Sequence, residues 1–129
     1  FRITVCNPDD TSKNVISLEI ESGFVSSSGD YERYFEENGK RYHHIFDPST
    51  GYPADSGVRS VTVCAADGAL SDALATALFV MGVERSLEFY SSGISFEAVF
   101  ITDEGVYTTD GLKSGDTFSL LSEKYKLLN

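Results

Sequence analysis

The stretch Ala69-Leu-Ser-Asp-Ala-Leu-Ala-Thr-Ala-Leu-Phe-Val-Met81 decides how the rest of the chain is arranged. It predicts one helix that is apolar on nearly every side and ends at Gly82, a residue suited to the position after a helix. Within it, only Asp72 and Thr76 are polar from position 72 onward, and their spacing places them on one face, one turn apart. Because such a helix is usually buried, we expect both side chains to need a partner there.

A hard cation with oxygen ligands is one partner that would satisfy Asp72 and Thr76 together. Mg²⁺ is typically held by one or two carboxylates together with water and substrate phosphates. One aspartate and one threonine are too few for a cage built by protein alone, so further ligands would come from elsewhere in the protein or from a phosphate. The alternative is a buried Asp72 that caps the helix or pairs with an arginine, with Thr76 bonded back to its own helix.

Strand patterns surround this helix on both sides. Asn38-Gly39 stands between two strand-like runs, 30–37 and 40–46, and predicts a hairpin. The other predicted strands are 2–6, 14–20, 23–28, 58–65, 95–102, 106–109 and 117–121, and a second, amphipathic helix covers 83–90. This order predicts a single domain over residues 1–129 with an α+β fold: a mostly antiparallel sheet with one buried helix and a second short helix packed on it.

Charge and cysteine content narrow the class of protein. The chain carries 10 basic and 20 acidic residues, a net charge of −10. This charge disfavours nucleic acid and anionic membranes as nonspecific partners, and a phosphate ligand would need a metal or backbone amides. Cys6 and Cys64 stand in apolar, strand-like contexts that predict buried free thiols, with a disulfide as the alternative.

The two histidines of the chain, His43 and His44, are adjacent and run into the turn Asp47-Pro-Ser-Thr-Gly51. On a strand they point to opposite faces, so we expect at most one of them in a given site. A neutral histidine at the end of a strand can act as a general base near pH 7. The alternatives are one surface and one structural histidine, and an Asp47 that merely caps the turn with Thr50 bonded to it.

A third polar segment, Ser26-Ser-Ser-Gly-Asp30, offers hydroxyl and N–H groups to an anion. An ordinary polar bend is the alternative. Four of the ten basic residues, Arg33, Lys40, Arg41 and Arg59, fall within one stretch of an acidic chain. We expect Lys40 on the hairpin surface and regard the three arginines as candidates to face a phosphate.

Three motifs, taken in order and spacing, resemble the FAD:protein FMN transferase (ApbE) family. They are Ser28-Gly29-Asp30-Tyr31-Glu32, then Tyr42-His43-His44-Ile45 with Asp47-Pro48-Ser49-Thr50-Gly51-Tyr52-Pro53, then Asp72-Ala-Leu-Ala-Thr76. The resemblance covers roughly residues 24–83. It implies a Mg²⁺-dependent enzyme that cleaves the pyrophosphate of FAD, attaches FMN through a phosphoester to a Thr or Ser of an acceptor flavoprotein, and releases AMP.

The resemblance also implies roles for particular residues. Asp72 and Thr76 match the metal ligands on the helix, and His44 matches the proposed base for the acceptor hydroxyl. The residues that match segments near the flavin and phosphates are Ser28, Gly29, Asp30, Asp47, Thr50 and Gly51. Two other functions stay open at this point: a Mg²⁺-dependent FAD pyrophosphatase that gives FMN and AMP, and a noncatalytic flavin-binding module.

The family chain is longer on its N-terminal side, where a Gly-rich Lys-Gly segment contributes to the metal and flavin sites. The resemblance therefore implies that residues 1–129 are the C-terminal part of the fold, with its N-terminal half absent. From this we expect an incomplete site and exposed apolar surface that favours self-association. Family membership further implies an extracytoplasmic location, as a membrane-anchored lipoprotein or in the periplasm or at the cell surface.

Overall fold

A computed structural model describes residues 1–113 and 117–129 as a helical layer, a four-stranded sheet and a three-stranded sheet, stacked in that order. The strands are β1 (Arg2–Asn7), β2 (Asp10–Glu19), β3 (Phe24–Gly29), β4 (Tyr34–Glu37), β5 (Lys40–His43), β6 (Val58–Ala65), β7 (Glu97–Thr102), β8 (Val106–Thr108) and β9 (Phe118–Leu120). The helices are α1 (Gly68–Met81), α2 (Val83–Ser91) and the short α3 (Asp110–Lys113). The α+β fold predicted from the sequence is confirmed.

All strand pairings between these elements are antiparallel. The four-stranded sheet has the order β3-β6-β7-β8, and the three-stranded sheet has the order β1-β2-β9. The predicted hairpin is present as β4 and β5, with Asn38 and Gly39 at φ of 52° and 74° in its turn. Positive φ at both positions is what a two-residue hairpin turn of this kind requires, and Asn-Gly supplies it.

The central strands are buried on both faces, and their alternating residues fill two different cores. Val61 and Phe100 point into the core beneath α1, together with Leu78 of the helix. Val99 and Ile101 point the other way, into the core against the three-stranded sheet. β6 is buried along most of its length on both faces, although it carries the polar residues Ser60 and Thr62.

Local signals explain where α1 begins and ends. The Asp67 carboxylate accepts a hydrogen bond from the Leu70 N–H at 2.8 Å and so caps the first turn. At the other end, Gly82 has φ 82° and donates its N–H to Leu78 O at 3.0 Å. Positive φ is inexpensive for glycine, so the helix ends there and α2 leaves in a new direction.

The structure corrects several details. The hairpin strands are shorter than predicted, because residues 30–33 form a turn and 44–46 leave the pairing. Cys6 and Cys64 are free thiols as expected, but each is only half-buried. The predicted last strand, 117–121, is confirmed at 118–120, whereas 114–116 lie outside the described residues. In the part of the chain described, none of the helices has the length and apolar character needed to cross a bilayer.

Candidate active site

A row of hydroxyl groups lies between β3 and α1. Ser26 Oγ is 2.8 Å from Ser71 Oγ, and Ser28 Oγ is 3.2 Å from Thr76 Oγ1. Alternate residues of a strand share one face, so Ser26 and Ser28 both reach the helix. The serine segment and the helix, which the sequence indicates as two separate candidates, therefore form one surface.

Asp72 and Thr76 share one face of α1, as predicted, but the prediction that this face is buried is wrong. Both side chains are exposed, as are their neighbours Ala73 and Ala77. The buried side of the helix consists of Ser71, Leu74, Ala75, Leu78 and Phe79. Small alanines make the outer face look apolar in sequence although it is exposed in the part of the chain that the structure describes. Asp72 is therefore solvated here and needs no buried partner.

The donors on this outer face suit a hard cation in type but are too few to enclose one. Among the described residues, no hydrogen bond or ion pair reaches the Asp72 carboxylate, and no three His, Cys, Asp or Glu side chains gather into a metal-binding group. Asp72, Thr76 and the adjoining Ser28 nevertheless offer the oxygen atoms that Mg²⁺ prefers. A Mg²⁺ site at these residues stays a prediction.

His43 is a structural residue. Its ring is buried and lies edge-on to Phe79, with 5.3 Å between ring centroids. Nε2 is 2.9 Å from the Ala54 carbonyl oxygen, and the Ile45 N–H donates to Nδ1 at 3.3 Å. A carbonyl can only accept, so His43 carries its proton on Nε2 and uses both ring nitrogens within the protein.

His44 points the other way and is exposed, as expected for adjacent residues near a strand end. The Arg33 carbonyl oxygen accepts its backbone N–H at 3.1 Å and lies 3.3 Å from its Nδ1. Since that carbonyl must be the acceptor, the proton of the neutral ring sits on Nδ1. Nε2 is then left with a free lone pair, the form that a general base requires.

The turn after the histidines is closed by Asp47, which confirms the alternative that Asp47 caps it. Its carboxylate accepts the Ser49 N–H at 2.8 Å and the Ser49 hydroxyl at 2.7 Å. Its carbonyl accepts the N–H groups of Thr50 and Gly51 at 3.2 and 2.8 Å. Gly51 has φ 72°, a value that favours glycine. Flavin contacts by Asp47, Thr50 and Gly51 stay predictions, because the hydrogen bonds and backbone angles of the turn account for these residues without a ligand.

The same contacts set the charge of the turn. The Ser49 hydroxyl, followed by the Ser49 amide, holds the pKa of Asp47 below its usual range, and the positive charge of Arg85 adds to this effect. Hydrogen bonds to a carboxylate stabilise its charged form. Asp47 is therefore an ionised carboxylate at neutral pH.

A groove of about 610 Å³ separates this turn from α1. Phe46, Asp47 and Ser49 form one wall, and Thr76 lies on the wall opposite. Arg85 of α2 also lines the groove. The groove brings the segment that directly follows His44 next to the helix face that carries the predicted metal ligands.

Asp30 does not stand free for a ligand. Only 8% of it is exposed, and its carboxylate binds Arg59 Nε at 2.6 Å and an Arg41 terminal nitrogen at 3.3 Å. Arg59 also pairs with Asp9 at 3.1 Å and with Asp103 at 2.8 Å. Two of the three arginines proposed to face a phosphate are therefore neutralised within the protein.

Gly29 has a structural reason to be glycine. A Cβ at this position would lie 2.9 Å from Cδ1 of the Tyr31 ring and closer still to its Cε1. The ring is thus packed directly on the Gly29 backbone. A role of Gly29 in flavin binding stays a prediction.

Sequence reasoning missed Arg85 and the Asp30–Arg59 pair. Arg85 follows Gly82, where the helix direction changes, so helical spacing from Thr76 does not place it on the groove. Asp30 and Arg59 are 29 positions apart, and only the pairing of β3 with β6 brings them together.

Comparison with solved structures shows that the chain shares its fold with ApbE proteins. The crystal structure of the ApbE protein from Thermotoga maritima superposes with a TM-score of 0.76 and 41% identity, over 88% of this chain and 37% of that one. The flavin transferase ApbE from Vibrio cholerae gives a TM-score of 0.66 and 29% identity, over 88% and 37%.

Sequence comparison identifies the family. The ApbE family model matches residues 1–100, so the chain belongs to the ApbE family. The FAD:protein FMN transferase of Haemophilus influenzae is 36% identical over 126 residues, which cover 95% of this chain and 35% of the relative. That of Klebsiella pneumoniae is 45% identical over 86 residues, 67% of this chain and 27% of the relative. The chain thus spans about a third of the relatives' length.

Proposed function

We propose that the protein containing this chain is a FAD:protein FMN transferase that uses Mg²⁺ and modifies a Thr or Ser hydroxyl of an acceptor flavoprotein. The observation that carries the proposal is the groove that sets the turn after His44 against the Thr76 face of α1. The matching names of the relatives support it. Because the chain spans about a third of their length, the remaining parts of the site are proposed to come from outside it.

In this reaction the acceptor hydroxyl oxygen forms a bond to the FMN phosphorus. The bond from that phosphorus to the oxygen bridging it to AMP breaks, and AMP leaves. His44 takes the hydroxyl proton on Nε2, the nitrogen left unprotonated by the Arg33 carbonyl. The acceptor is thereby activated without a covalent protein intermediate.

Asp72 and Thr76 would hold the Mg²⁺, with Ser28 placed to support Thr76 through their 3.2 Å contact. When bound, the ion supplies charge neutralisation for the phosphates of an anionic substrate. This need is acute in a chain of net charge −10 whose Arg41 and Arg59 are already paired with carboxylates. The outer position of Asp72 leaves its oxygens accessible to an ion and a substrate.

Two further expectations follow from family membership and are proposed with it. One is an extracytoplasmic location, which cell fractionation of the producing organism would test. The other is self-association of the isolated 129 residues, which is consistent with exposed Phe24 and Leu70 beside the helix face. Sedimentation of the chain at increasing concentration would test it.

The function is tested in a protein of the relatives' full length that contains this chain. It is incubated with FAD, Mg²⁺ and an acceptor peptide, and the mass of the peptide is measured by mass spectrometry. Gain of one FMN with release of AMP supports the transferase. Release of free FMN and AMP without loading would instead indicate the pyrophosphatase, and bound FAD with neither product would indicate a binding module.

A further inference from the structure

The β4–β5 hairpin stands apart from the two larger sheets. Among the described residues its two strands pair only with each other. An isolated two-stranded hairpin is marginally stable in water, so its orientation depends on side-chain anchors. The orientation matters, because the segment immediately before the hairpin supplies the Arg33 carbonyl and the segment immediately after it carries His44.

Arg41 of β5 is one such anchor. It contacts both the hairpin and Asp30, the residue that follows β3 of the four-stranded sheet. Within the hairpin, one terminal nitrogen binds the Glu36 carboxylate at 3.3 Å, and the guanidinium carbon lies 4.1 Å from the centroid of the Tyr34 ring. The other terminal nitrogen binds Asp30 at 3.3 Å. The planar guanidinium suits this combination of ion pairs and ring stacking, which a lysine ammonium cannot reproduce.

Asp30 is itself joined to the four-stranded sheet by two hydrogen bonds with Arg59. Its backbone N–H donates to the Arg59 carbonyl at 3.1 Å, and its carboxylate accepts from Arg59 Nε at 2.6 Å. Arg59 belongs to β6, a strand buried between two neighbours. Arg41 therefore connects the hairpin, through Asp30, to an inner strand of the four-stranded sheet.

The connection extends to His44 through two neighbouring residues. Tyr34, which stacks on Arg41, follows Arg33 directly in the chain. The Arg33 carbonyl accepts both the backbone N–H and the Nδ1–H of His44. Loss of the Arg41 contacts would free the Tyr34 end of β4 and, with it, the adjoining Arg33 carbonyl, and so release the Nδ1 proton that this carbonyl fixes.

We propose that Arg41 is a positioning residue for His44. By joining the hairpin to Asp30, it holds the Arg33 carbonyl where that carbonyl keeps the His44 proton on Nδ1 and leaves Nε2 unprotonated. The contacts of Arg41 are with Asp30, Glu36 and the Tyr34 ring, so its proposed effect on His44 is indirect. The proposal rests on the proposed function for its catalytic consequence, but its structural content can be measured without any substrate.

The substrate-free test observes the imidazole nitrogens of the ¹⁵N-labelled chain by NMR at a pH where the rings are neutral. With only two histidines in the sequence, two ring spectra are expected, and His44→Gln assigns them. Protonated and unprotonated ring nitrogens resonate far apart. We expect Nδ1–H for His44 in the native chain and a mixed population in Arg41→Met.

Arg2→Met is the matched control, because Arg2 forms an exposed ion pair with Glu19 on the three-stranded sheet. It should leave the His44 spectrum unchanged. An unchanged His44 spectrum in folded Arg41→Met would overturn the proposal. If Arg41→Met does not fold, Arg41→Lys, which keeps the charge and stem, takes its place, with an intermediate shift expected and no shift counting against the proposal.

Kinetics then separate the positioning role from the function. In the full-length protein, Arg41→Met should lower kcat for FMN transfer by about 10- to 100-fold, the cost of misplacing a reacting group, with KM for FAD within about twofold. A rise in KM alone would make Arg41 a binding residue and contradict the proposal. If the NMR shift occurs while His44→Gln transfers FMN at the native rate, the positioning role stands and the proposed function of His44 falls.

Discussion

The Oγ of Ser28 lies 3.2 Å from the Oγ1 of Thr76, across the interface between β3 and α1. The two residues are 48 positions apart in the sequence and belong to different motifs. Their contact shows that the serine segment packs against the helix face on which Asp72 stands.

The metal assignment predicts a specific effect at Asp72. Asp72→Asn removes a charged oxygen ligand from an exposed position, so Mg²⁺-dependent FMN transfer should fall by at least about 100-fold. The free energy of unfolding should change by no more than about 0.5 kcal/mol, because no contact among the described residues is lost. Initial rates across a Mg²⁺ titration and a urea denaturation curve measure the two effects.

Glu88→Gln is the matched control for that experiment. Glu88 is an exposed carboxylate on α2, and the substitution makes the same change of charge. Its Mg²⁺ dependence should equal that of the native protein. An Asp72→Asn protein with the same Mg²⁺ response as this control would remove Asp72 from the metal site.

Substitutions of the two adjacent histidines should have different effects on the free energy of unfolding. His43→Gln disturbs a buried ring that donates to Ala54 and accepts from Ile45, so it should lower the free energy of unfolding by about 1–3 kcal/mol. His44→Gln changes an exposed ring and should cost no more than about 0.5 kcal/mol. Urea denaturation of both variants decides this, and equal losses would contradict the assignment of His43 as the structural member.

The turn closed by Asp47 should make the stability of the protein depend on pH in the acid range. Its pKa is lowered in the folded state, so its contribution to stability is present above the ordinary pKa of 3.8 and is lost as the pH falls through the lowered value. Ser49→Ala removes the largest cause of the shift, so Tm should fall less steeply with acidification below about pH 5. Ser91→Ala, whose hydroxyl donates to a carbonyl, should keep the native slope. A native slope in Ser49→Ala would contradict the account.

Gly29 should respond as a packing position. In Gly29→Ala the new methyl group meets the Tyr31 ring, which predicts a loss of about 1–3 kcal/mol in urea denaturation. Combining it with Tyr31→Ala should give less than the sum of the two single losses. If Gly29→Ala instead lowered FAD affinity at unchanged stability, Gly29 would be a flavin contact and the packing explanation would be wrong.

The sequence predicted most of the elements because their local signals agree. Gly82 at the end of α1 and Asn38-Gly39 in the hairpin each satisfy a backbone requirement that neighbouring residues do not share. The valine-rich run 58–65 likewise indicates a strand. These signals are short-range, so they are visible without knowing the fold.

Long-range features were not predictable in the same way. Alanines on the outer face of α1 have the same hydropathy as alanines in a core, so the exposure of Asp72 was missed. The neutralisation of Arg41 and Arg59 by Asp30 depends on strand pairing and on a hairpin orientation that no local pattern encodes. Chemistry and spacing indicated the candidate segments, and the family resemblance assigned roles to individual residues, whereas their partners required the tertiary structure.

The central claim is that His44 accepts the proton of the acceptor hydroxyl. Its most direct test is single-turnover FMN loading of an acceptor peptide by the native full-length protein and by His44→Gln, with the Kd for FAD measured on the same samples. The account predicts that loading slows by about 10²–10⁴-fold, the usual contribution of a general base, while the Kd stays within about twofold. Loading at the native rate, or equal losses in loading and in FAD binding, would contradict it.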